Sequence, residues 1–256
     1  MKTFVAFLKK EIIWQIRSAR LLFLGILFFL LGIMNPAVAK LTPWLLDTLA
    51  DSLAESGMTV TVTTVTALDS WMQFYKNIPL GLITFLLLES GTFTKEYETG
   101  TLILSLTKGL PRHQVVLSKA LALITLWTAG YWTCFGITYG YNAYFWDNGI
   151  AKNLVFSAVC WWIFGIFAVS LTVLFSTLTR SNVGVLGGIG GTVLSCYLLS
   201  FLPHVGDYLP TILTDGATLV YGLANAETYI SAIIVTAAAS ILCFAISVPV
   251  FDKKQL

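Results

Sequence analysis

Six long apolar runs constrain this chain more than any other feature of its sequence. Each has about the 20 residues that a helix needs to cross the hydrocarbon core of a bilayer. Of the 256 residues, 57% are hydrophobic and 11% are charged, whereas a water-soluble domain needs far more charge on its surface. We therefore predict an all-α integral membrane protein, one domain over 1–256, with six transmembrane helices at 21–41, 73–93, 119–146, 153–178, 183–203 and 228–251.

The Lys and Arg residues between these runs indicate how the helices are inserted, because basic loops are retained on the cytoplasmic side. With the N-terminus inside, twelve of the fifteen are cytoplasmic: Lys2, Lys9, Lys10, Arg17, Arg20, Lys95, Lys108, Arg112, Lys119, Arg180, Lys253 and Lys254. Only Lys40, Lys76 and Lys152 fall outside. We therefore expect a multi-pass protein of the plasma membrane with both termini in the cytoplasm. The run at 73–93 is the weakest, because its apolar part, 78–93, is short and contains Glu89, although 73–75 extend it and Glu89 falls near its end, where a carboxylate can reach the membrane interface.

Residues 1–20, ahead of the first run, have the pattern of an amphipathic helix. At about 100° per residue, one side is apolar and the other is basic. The apolar side has Phe4, Val5, Leu8, Ile12 and Ile16, and the basic side has Lys2, Lys9, Lys10, Arg17 and Arg20. Such a helix would lie in the cytoplasmic interface with its cations beside anionic lipid headgroups. A plain positively charged flank is the alternative interpretation.

Several classes of function are excluded by what the sequence lacks. No G-x-x-x-x-G-K-[ST] phosphate loop occurs, so ATP hydrolysis is not expected in this chain. A net charge of +2, without a basic segment rich in aromatic residues, argues against nucleic acid as a partner. The four cysteines lie singly in different apolar runs and the two histidines form no metal motif, so no metal or cofactor is predicted. We predict no enzymatic activity for the chain itself.

The polar connection at 94–118, between the second and third runs, is suited to contact a soluble partner. It is charged at its start, apolar in its middle and broken by a Gly-Leu-Pro turn at 109–111. Charged side chains give an interface its register, and apolar side chains give it buried area. The charges here are Glu96, Glu98, Lys108 and Arg112, and the apolar residues are Leu102, Ile103, Leu104 and Leu106. We predict a cytoplasmic loop that includes a short amphipathic helix.

The same stretch resembles the signature of ATP-binding-cassette (ABC) transporter permeases of the second exporter type. These permeases have a cluster of acidic and basic residues, then Gly-Thr-Leu, leucine-rich residues, a turn that ends in Arg, and a Lys that opens the third span. The matching residues are Lys95, Glu96, Glu98, Gly100, Thr101, Leu102, Leu104, Leu106, Arg112 and Lys119. The turn departs from the pattern, since many relatives have Pro, an aliphatic residue and Ser before the Arg. Weaker similarities are Phe-Ser-Thr-Leu at 175–178, followed by Arg180, and Phe-Asp-Lys-Lys at 251–254.

The resemblance implies a six-helix half-transporter in which 94–118 is the cytoplasmic coupling segment. A separate ABC ATPase, which binds ATP and Mg²⁺, would be contacted by Lys95, Glu96, Glu98, Gly100, Thr101, Leu102, Leu104, Leu106, Lys108 and Arg112. Residues 1–20 would correspond to an interfacial elbow helix, and 204–227 to short re-entrant helices that cap the pathway. Two identical or related permease copies would pair. The glycine-rich stretch 184–191, whose small residues favour close helix packing, is a candidate surface for that contact.

The cargo is predicted from aromatic residues in the third and fourth spans. Five of them are candidates to line an apolar pathway: Trp132, Phe135, Tyr139, Trp162 and Phe167. Packing inside the protein or against lipid is the competing role for each. We expect export of a hydrophobic or amphipathic substrate, with toxic or antimicrobial peptides as the first hypothesis. The alternative is a membrane immunity or scaffold protein that binds a toxin or partner without transport. A secondary transporter would need ion-coupling groups and internal repeats, which the sequence does not show.

Overall fold

The computed structural model describes residues 2–50, 64–107 and 111–254, which are helical and contain no strand. The helices in these ranges are α1 (Lys2–Arg17), α2 (Arg20–Thr48), α3 (Ala67–Glu89), α4 (Gly91–Glu98), α5 (Thr101–Thr107), α6 (Arg112–Phe145), α7 (Leu154–Leu178), α8 (Asn182–Leu199), α9 (Gly216–Val220) and α10 (Ala226–Lys253). Short 3-10 turns lie at Asn148–Ile150, Gly206–Tyr208 and Pro210–Thr214. The predicted all-α fold is confirmed.

Five of these helices, α2, α6, α7, α8 and α10, are long and apolar enough to cross a membrane. They cover five of the six predicted runs, although α6 begins earlier than predicted, at Arg112, and α2 extends to Thr48. The run at 73–93 falls on α3 and the start of α4. α3 is less apolar than the five because its first half includes Asp69 and Lys76. An integral membrane protein is therefore confirmed, and the sixth span stays a prediction.

The ends of α3 lie at the same two ends of the bundle as its neighbours. At the end where α1, α4 and the start of α6 meet, here called the basic end, Gln15 Nε2 donates to Glu89 Oε2 at 2.8 Å. At the opposite end, the indole of Trp71 donates to Asn148 Oδ1 at 3.1 Å, just beyond the end of α6. With 23 residues, α3 is roughly 34 Å long. It therefore has the length and the direction of a sixth crossing.

Aromatic side chains fill the middle of the bundle where α2, α3, α6 and α7 meet. The ring of Phe28 is fully buried, with its centroid 6.0 Å from that of Trp127 in an edge-to-face contact. Gly81 of α3 and Gly130 of α6 leave room for this ring, since a Cβ on either would lie 2.9 Å or less from one of its carbons. Gly165 of α7 makes the same allowance for the indole of Trp127. Small residues thus set how closely these helices approach.

α1 has a buried polar seam that the two-sided sequence pattern did not predict. Phe7, Glu11 and Gln15, each one turn apart, face the bundle and are almost fully buried. The apolar Ile12 and Ile16 remain exposed, at 42% and 55%. An exposed apolar stripe on a helix that is attached to a membrane protein suits a position along the membrane surface. That position stays a prediction.

Residues 204–227, predicted as short re-entrant helices, fold as 3-10 turns and the short helix α9 at the opposite end of the bundle. Leu213 and Leu219 are completely buried there. The indole of Trp161 on α7 donates to the carbonyl of Thr214 at 2.7 Å, which fixes the turn against the bundle. The middle of the segment, 210–220, therefore packs against the core, and the role of the segment as a cap over a pathway stays a prediction.

Candidate functional site

The predicted coupling segment, 94–118, folds as short helices followed by the first turns of α6. α4 continues from α3 through Ser90, and α5 begins after Gly100. Gly100 has a φ of 67°, in the left-handed region that glycine adopts without strain, so the chain can end α4 and turn. Positions 108–110, including Lys108, lie outside the described residues. The segment therefore presents two short helices at the basic end.

A buried lysine joins this segment to two other helices. Lys119 of α6 is 1% exposed, and its Nζ lies 3.0 Å from Glu11 Oε2 of α1 and 3.1 Å from Glu96 Oε2 of α4. The same Nζ donates to the backbone carbonyl of Thr92 at 3.1 Å. Two of the ammonium hydrogens are donated, to Glu11 Oε2 and to the Thr92 carbonyl, and Glu96 Oε2 adds an ion pair. Lys119 therefore holds α1, α4 and α6 together at one point.

A second cation contacts the same two carboxylates from the side of α1. Lys10 Nζ lies 3.2 Å from Glu96 Oε1 and 3.3 Å from Glu11 Oε1. Burial lowers the pKa of Lys10, but the charges of Glu96 and Glu11 outweigh it, so the net pKa is raised above its usual value. Lys10 therefore stays protonated at neutral pH. The four side chains Glu11, Lys119, Glu96 and Lys10 form a closed ring of alternating charge, here called the ion ring.

Beside the ion ring lies the carboxylate of Glu89, the last residue of α3. Glu89 is completely buried, and its Oε2 accepts hydrogen bonds from Gln15 Nε2 and Thr92 Oγ1, both at 2.8 Å. The guanidinium of Arg20 lies 3.5 Å from the same oxygen and 4.6 Å from the centre of the Trp14 ring. The positive charges of Lys10, Arg20 and Lys119 are thus matched by three carboxylates. This balance makes it tolerable to bury the other five charges wholly or largely, while the Lys10 side chain stays 46% exposed.

On its other side, α4 contacts the ends of α7 and α10. The hydroxyl of Tyr97 donates to the carbonyl of Ser176 at 3.1 Å, and Lys254 Nζ lies 4.2 Å from the centre of the Tyr97 ring. Burial raises the pKa of Tyr97, and the neighbouring Glu96 raises it further, so Tyr97 keeps its proton as a donor. Glu96 and Tyr97 therefore fasten one short helix to two separate parts of the bundle.

Two cations cap helix C-termini in the same region. Arg112 Nη1, at the start of α6, donates to the carbonyls of Phe251, Asp252 and Lys254 at 2.7–3.0 Å. Lys254 Nζ donates in turn to the carbonyls of Ser176, Thr177 and Thr179 at 2.7–3.3 Å. These carbonyls lie at or just beyond the C-terminal ends of α10 and α7, where positive charge is favourable, and the Phe251 carbonyl also accepts from the backbone N–H of Lys254. We call this arrangement of Arg112 and Lys254 the C-terminal clasp.

The predicted docking residues divide into outward-facing and inward-facing groups. Those that are exposed are Lys95, Glu98 and Thr101. Those that are buried or half-buried are Glu96, Gly100, Leu102, Leu106 and Arg112. Of these, Glu96 belongs to the ion ring and Arg112 to the C-terminal clasp. For Leu104 only the backbone is described. Contact of any of these residues with an ATPase stays a prediction.

An apolar cavity of about 360 Å³ opens between α3, α7 and α8. It is lined by Tyr75, Pro79, Leu82, Ile83, Leu86, Trp161, Phe164, Ala168, Ile189, Gly190, Val193, Tyr197 and Thr214. The few polar groups at its edge are already hydrogen-bonded, as in the pair Tyr197 and Thr214, whose hydroxyls lie 3.1 Å apart. The cavity therefore suits an apolar group.

None of the five aromatic residues predicted to line a pathway borders this cavity. Phe135 and Phe167 are buried in the core, at 8% and 4% exposure. Trp132 and Trp162 are half-buried, and Tyr139 is exposed. Their role in a pathway stays a prediction, while the cavity adds Trp161 and Phe164 as aromatic candidates that sequence reasoning missed.

Sequence reasoning also missed three buried partners at the basic end: Glu11, Gln15 and Glu89 in its hydrogen-bonded role. Glu11 was a lone acid in a basic helix, and Glu89 was assigned to the membrane interface. A signal was present, because Phe7, Glu11 and Gln15 repeat every four residues along α1. Polar residues at helical spacing opposite an exposed apolar stripe indicate a second contact surface.

Comparison with known proteins gives one match. A family profile described as "ABC-2 family transporter protein" matches residues 5–218. The matched region begins in α1 and ends in α9, so it includes the ion ring and the predicted coupling segment. No curated protein and no solved structure matches the chain.

Proposed function

This chain belongs to the ABC-2 family of transporter proteins, and we propose that it exports a hydrophobic or amphipathic substrate as the membrane subunit of an ATP-driven transporter. ATP and Mg²⁺ are bound by separate ABC ATPase subunits at the basic end. A second permease copy completes the membrane part. The proposal rests on the double attachment of α4, in which Glu96 joins the ion ring and Tyr97 contacts α7.

The outward face of α4 and α5 is the proposed docking surface for the ATPase. Lys95, Glu98 and Thr101 are exposed there, and the charges of Lys95 and Glu98 are available to a partner. The other side of α4 is held by buried ion pairs rather than by loose loop contacts. A docking element on a rigid support transmits force better than a flexible loop. α4 is therefore suited to receive a movement from outside the bundle.

The inward contacts of α4 provide the route by which such a movement reaches the membrane helices. Through Glu96, α4 pulls on Lys119 and so on α6, and through Tyr97 it pulls on the end of α7. α6 begins at this site and α7 ends at it, and both helices extend to the opposite end of the bundle. A shift of α4 therefore moves two long helices at once, as a rigid-body mechanism requires.

The basic end is proposed to face the cytoplasm. Lys9, Lys95 and Arg17 are exposed on the helices that lie there, and basic residues are retained on the cytoplasmic side of membranes. α3 then counts as the second of six spans, and both termini are cytoplasmic. ATP is available only on that side, which agrees with an ATPase beneath α4.

The cavity between α3, α7 and α8 is the proposed site for the apolar part of the substrate. Its walls are almost entirely apolar, as in pockets that bind hydrophobic ligands. An amphipathic peptide could place apolar side chains there while its charged groups stay at the membrane surface. Toxic or antimicrobial peptides are therefore our first substrate hypothesis.

The glycine-rich face of α8 is the proposed contact between two permease copies. Gly187, Gly190 and Gly191 have no other group within 4 Å of where a Cβ would lie. Backbones can approach closely at such a face. α8 also borders the cavity through Gly190, so pairing at this surface would place two cavities near each other.

The proposal is tested by co-expression with the ABC ATPase encoded nearest to this chain's gene. The permease is purified by a tag in mild detergent, and the ATPase that co-elutes is quantified. We expect ATPase in the wild-type preparation and about tenfold less with Glu98→Lys, because a reversed charge opposes docking. Glu227→Lys, an exposed reversal at the opposite end, is the matched control and should retain the ATPase.

The same cells report on export when they are challenged with a cationic amphipathic helical peptide. We expect protection by the wild-type pair and none when the ATPase carries a substitution of its phosphate-loop lysine. Recovery of the wild-type permease without an ATPase would contradict the proposal. Protection that persists without ATP hydrolysis would instead favour the immunity or scaffold alternative.

A further inference from the structure

The ion ring does more than neutralise buried charge, because each of its two lysines bridges the same two carboxylates. Lys119 contacts one oxygen of Glu11 and one of Glu96, and Lys10 contacts the other oxygen of each. Lys10 and Glu11 belong to α1 and Glu96 to α4, so the two helices are joined by two connections: directly by the ion pair of Lys10 and Glu96, and through Lys119 of α6, which pairs with both carboxylates. Neither helix can slide or turn relative to the other without breaking at least one.

We propose that Lys119 is a positioning residue that locks the interfacial helix α1 to the coupling segment, so that both move as one body when the ATPase acts. This inference rests on the function proposed above. It assigns α1 a task that lipid anchoring does not explain. The helix carries the movement of α4 along the membrane surface and into α2, which begins within three residues of the end of α1.

The burial of Lys119 indicates that its charge serves geometry rather than stability. Its side chain is 1% exposed, and taking an ammonium out of water is costly unless every hydrogen is matched. An unbranched apolar side chain of similar length could fill the same space without that cost. Such a side chain would not fix the distance between two carboxylates. A buried charge therefore specifies one arrangement of α1, α4 and α6.

The exposed apolar face of α1 would keep the joint movement of α1 and α4 in the plane of the membrane. Ile12 and Ile16 are exposed apolar residues on the side of α1 that faces away from Glu11. In a bilayer these residues would lie among acyl chains, where the helix can slide but not leave easily. Movement of α4 would then be guided in the plane of the membrane. Without the lock, α4 could tilt while α1 stayed behind.

Spin-label distances between α1 and α4 test the proposal directly. Cysteines at the exposed positions Lys9, in α1, and Thr99, at the end of α4, are labelled in a variant without the four native cysteines, and the distance distribution is measured in the purified complex. In the wild-type background we expect one narrow distribution that is the same without nucleotide and with ADP trapped by vanadate. Lys119→Met should broaden it by about twofold, because breaking the ring releases α4 from α1.

Three controls separate positioning from general damage. Lys76→Met makes the same substitution at an exposed lysine and should leave the distribution narrow. A second label pair at the exposed Val155 of α7 and Ile241 of α10 should stay unchanged in Lys119→Met. If Lys119→Met does not accumulate in the membrane, Lys10→Met opens the half-exposed side of the ring and should also broaden the first pair.

A narrow first distribution in Lys119→Met, or broadening of both label pairs, would overturn the inference. So would a change of the α1 to α4 distance in the wild-type complex when ADP and vanadate are added. These outcomes are distinct from failure of the proposed function, in which no ATPase co-purifies with the wild type. The nucleotide-free comparison of wild type and Lys119→Met tests the lock even in that case.

Discussion

Replacement of Glu89 by Gln tests whether the buried carboxylate at the end of α3 holds its neighbours by charge or only by shape. Glutamine fills the same space and can still accept from Gln15 and Thr92, which donate to Glu89 at 2.8 Å. It cannot neutralise Arg20, whose side chain is 10% exposed and lies 3.5 Å from the carboxylate. The substitution therefore leaves a nearly buried guanidinium without its counter-ion.

The cost of that lost pairing can be estimated from the structure. Removing one partner of a buried ion pair costs about 3–5 kcal/mol of unfolding free energy. Arg20 keeps its contact with the Trp14 ring, at 4.6 Å, which is worth about 0.5–2 kcal/mol. We therefore expect a loss near the lower limit, about 3 kcal/mol, and a fall in Tm of roughly 6–12 °C.

The eight tryptophans allow this to be measured by intrinsic fluorescence during heating in detergent. Glu98→Gln makes the same change at an exposed site and should shift Tm by less than about 2 °C. A Tm of Glu89→Gln equal to that of Glu98→Gln would refute the reasoning. It would mean that Arg20 finds water or another acceptor, and that Glu89 contributes through shape alone.

Three further outcomes are expected. Gly130→Ala should lower Tm relative to Gly136→Ala on the same helix, because a Cβ at Gly130 meets the Phe28 ring whereas one at Gly136 meets nothing within 4 Å. The expected overpacking cost is about 1–3 kcal/mol and is measured from melting curves of the two variants. Equal Tm values would contradict this prediction. A cysteine placed at Lys108 should resist a membrane-impermeant maleimide in intact cells and react after permeabilisation; labelling from outside would reverse the assigned topology. Val193→Trp should fill the cavity and reduce peptide protection about tenfold, while Leu194→Trp, at an exposed position outside its lining, should not; equal protection would remove the cavity from the pathway.

The main architecture could be predicted from the sequence because lipid imposes simple rules on it. Apolar runs long enough to span a membrane predicted five of the helices directly, since every backbone group in lipid must be paired within a helix. α3 was predicted less well, because Asp69 and Lys76 reduce its mean hydropathy while its direction in the bundle depends on contacts with other helices. Those contacts, such as Trp71 to Asn148, join residues far apart in sequence.

The candidate site could be predicted only in part. The polar connection with short helices at 94–118 followed from its pattern, but the direction in which Glu96 points did not. Glu96 and Glu98 are equivalent in a sequence motif, yet a helical rotation of about 200° between them sends one to Lys119 and leaves the other exposed. That Trp161 rather than Trp162 borders the cavity could not be predicted for the same reason, since neighbouring helix positions differ by about 100°.

The C-terminal clasp has a consequence for how the protein is made. Arg112 and the end of α7 are synthesised long before Lys254. Both nevertheless form hydrogen bonds with Lys254 in the folded protein. Until that region is synthesised, the carbonyls of Ser176 and Thr177 have no cationic partner, and α6 and α7 can be inserted but not fastened at this end. A chain that stops short of α10 would therefore lack the hydrogen bonds that join α6, α7 and α10 at this end, so these helices can be fastened together only after the last one is inserted.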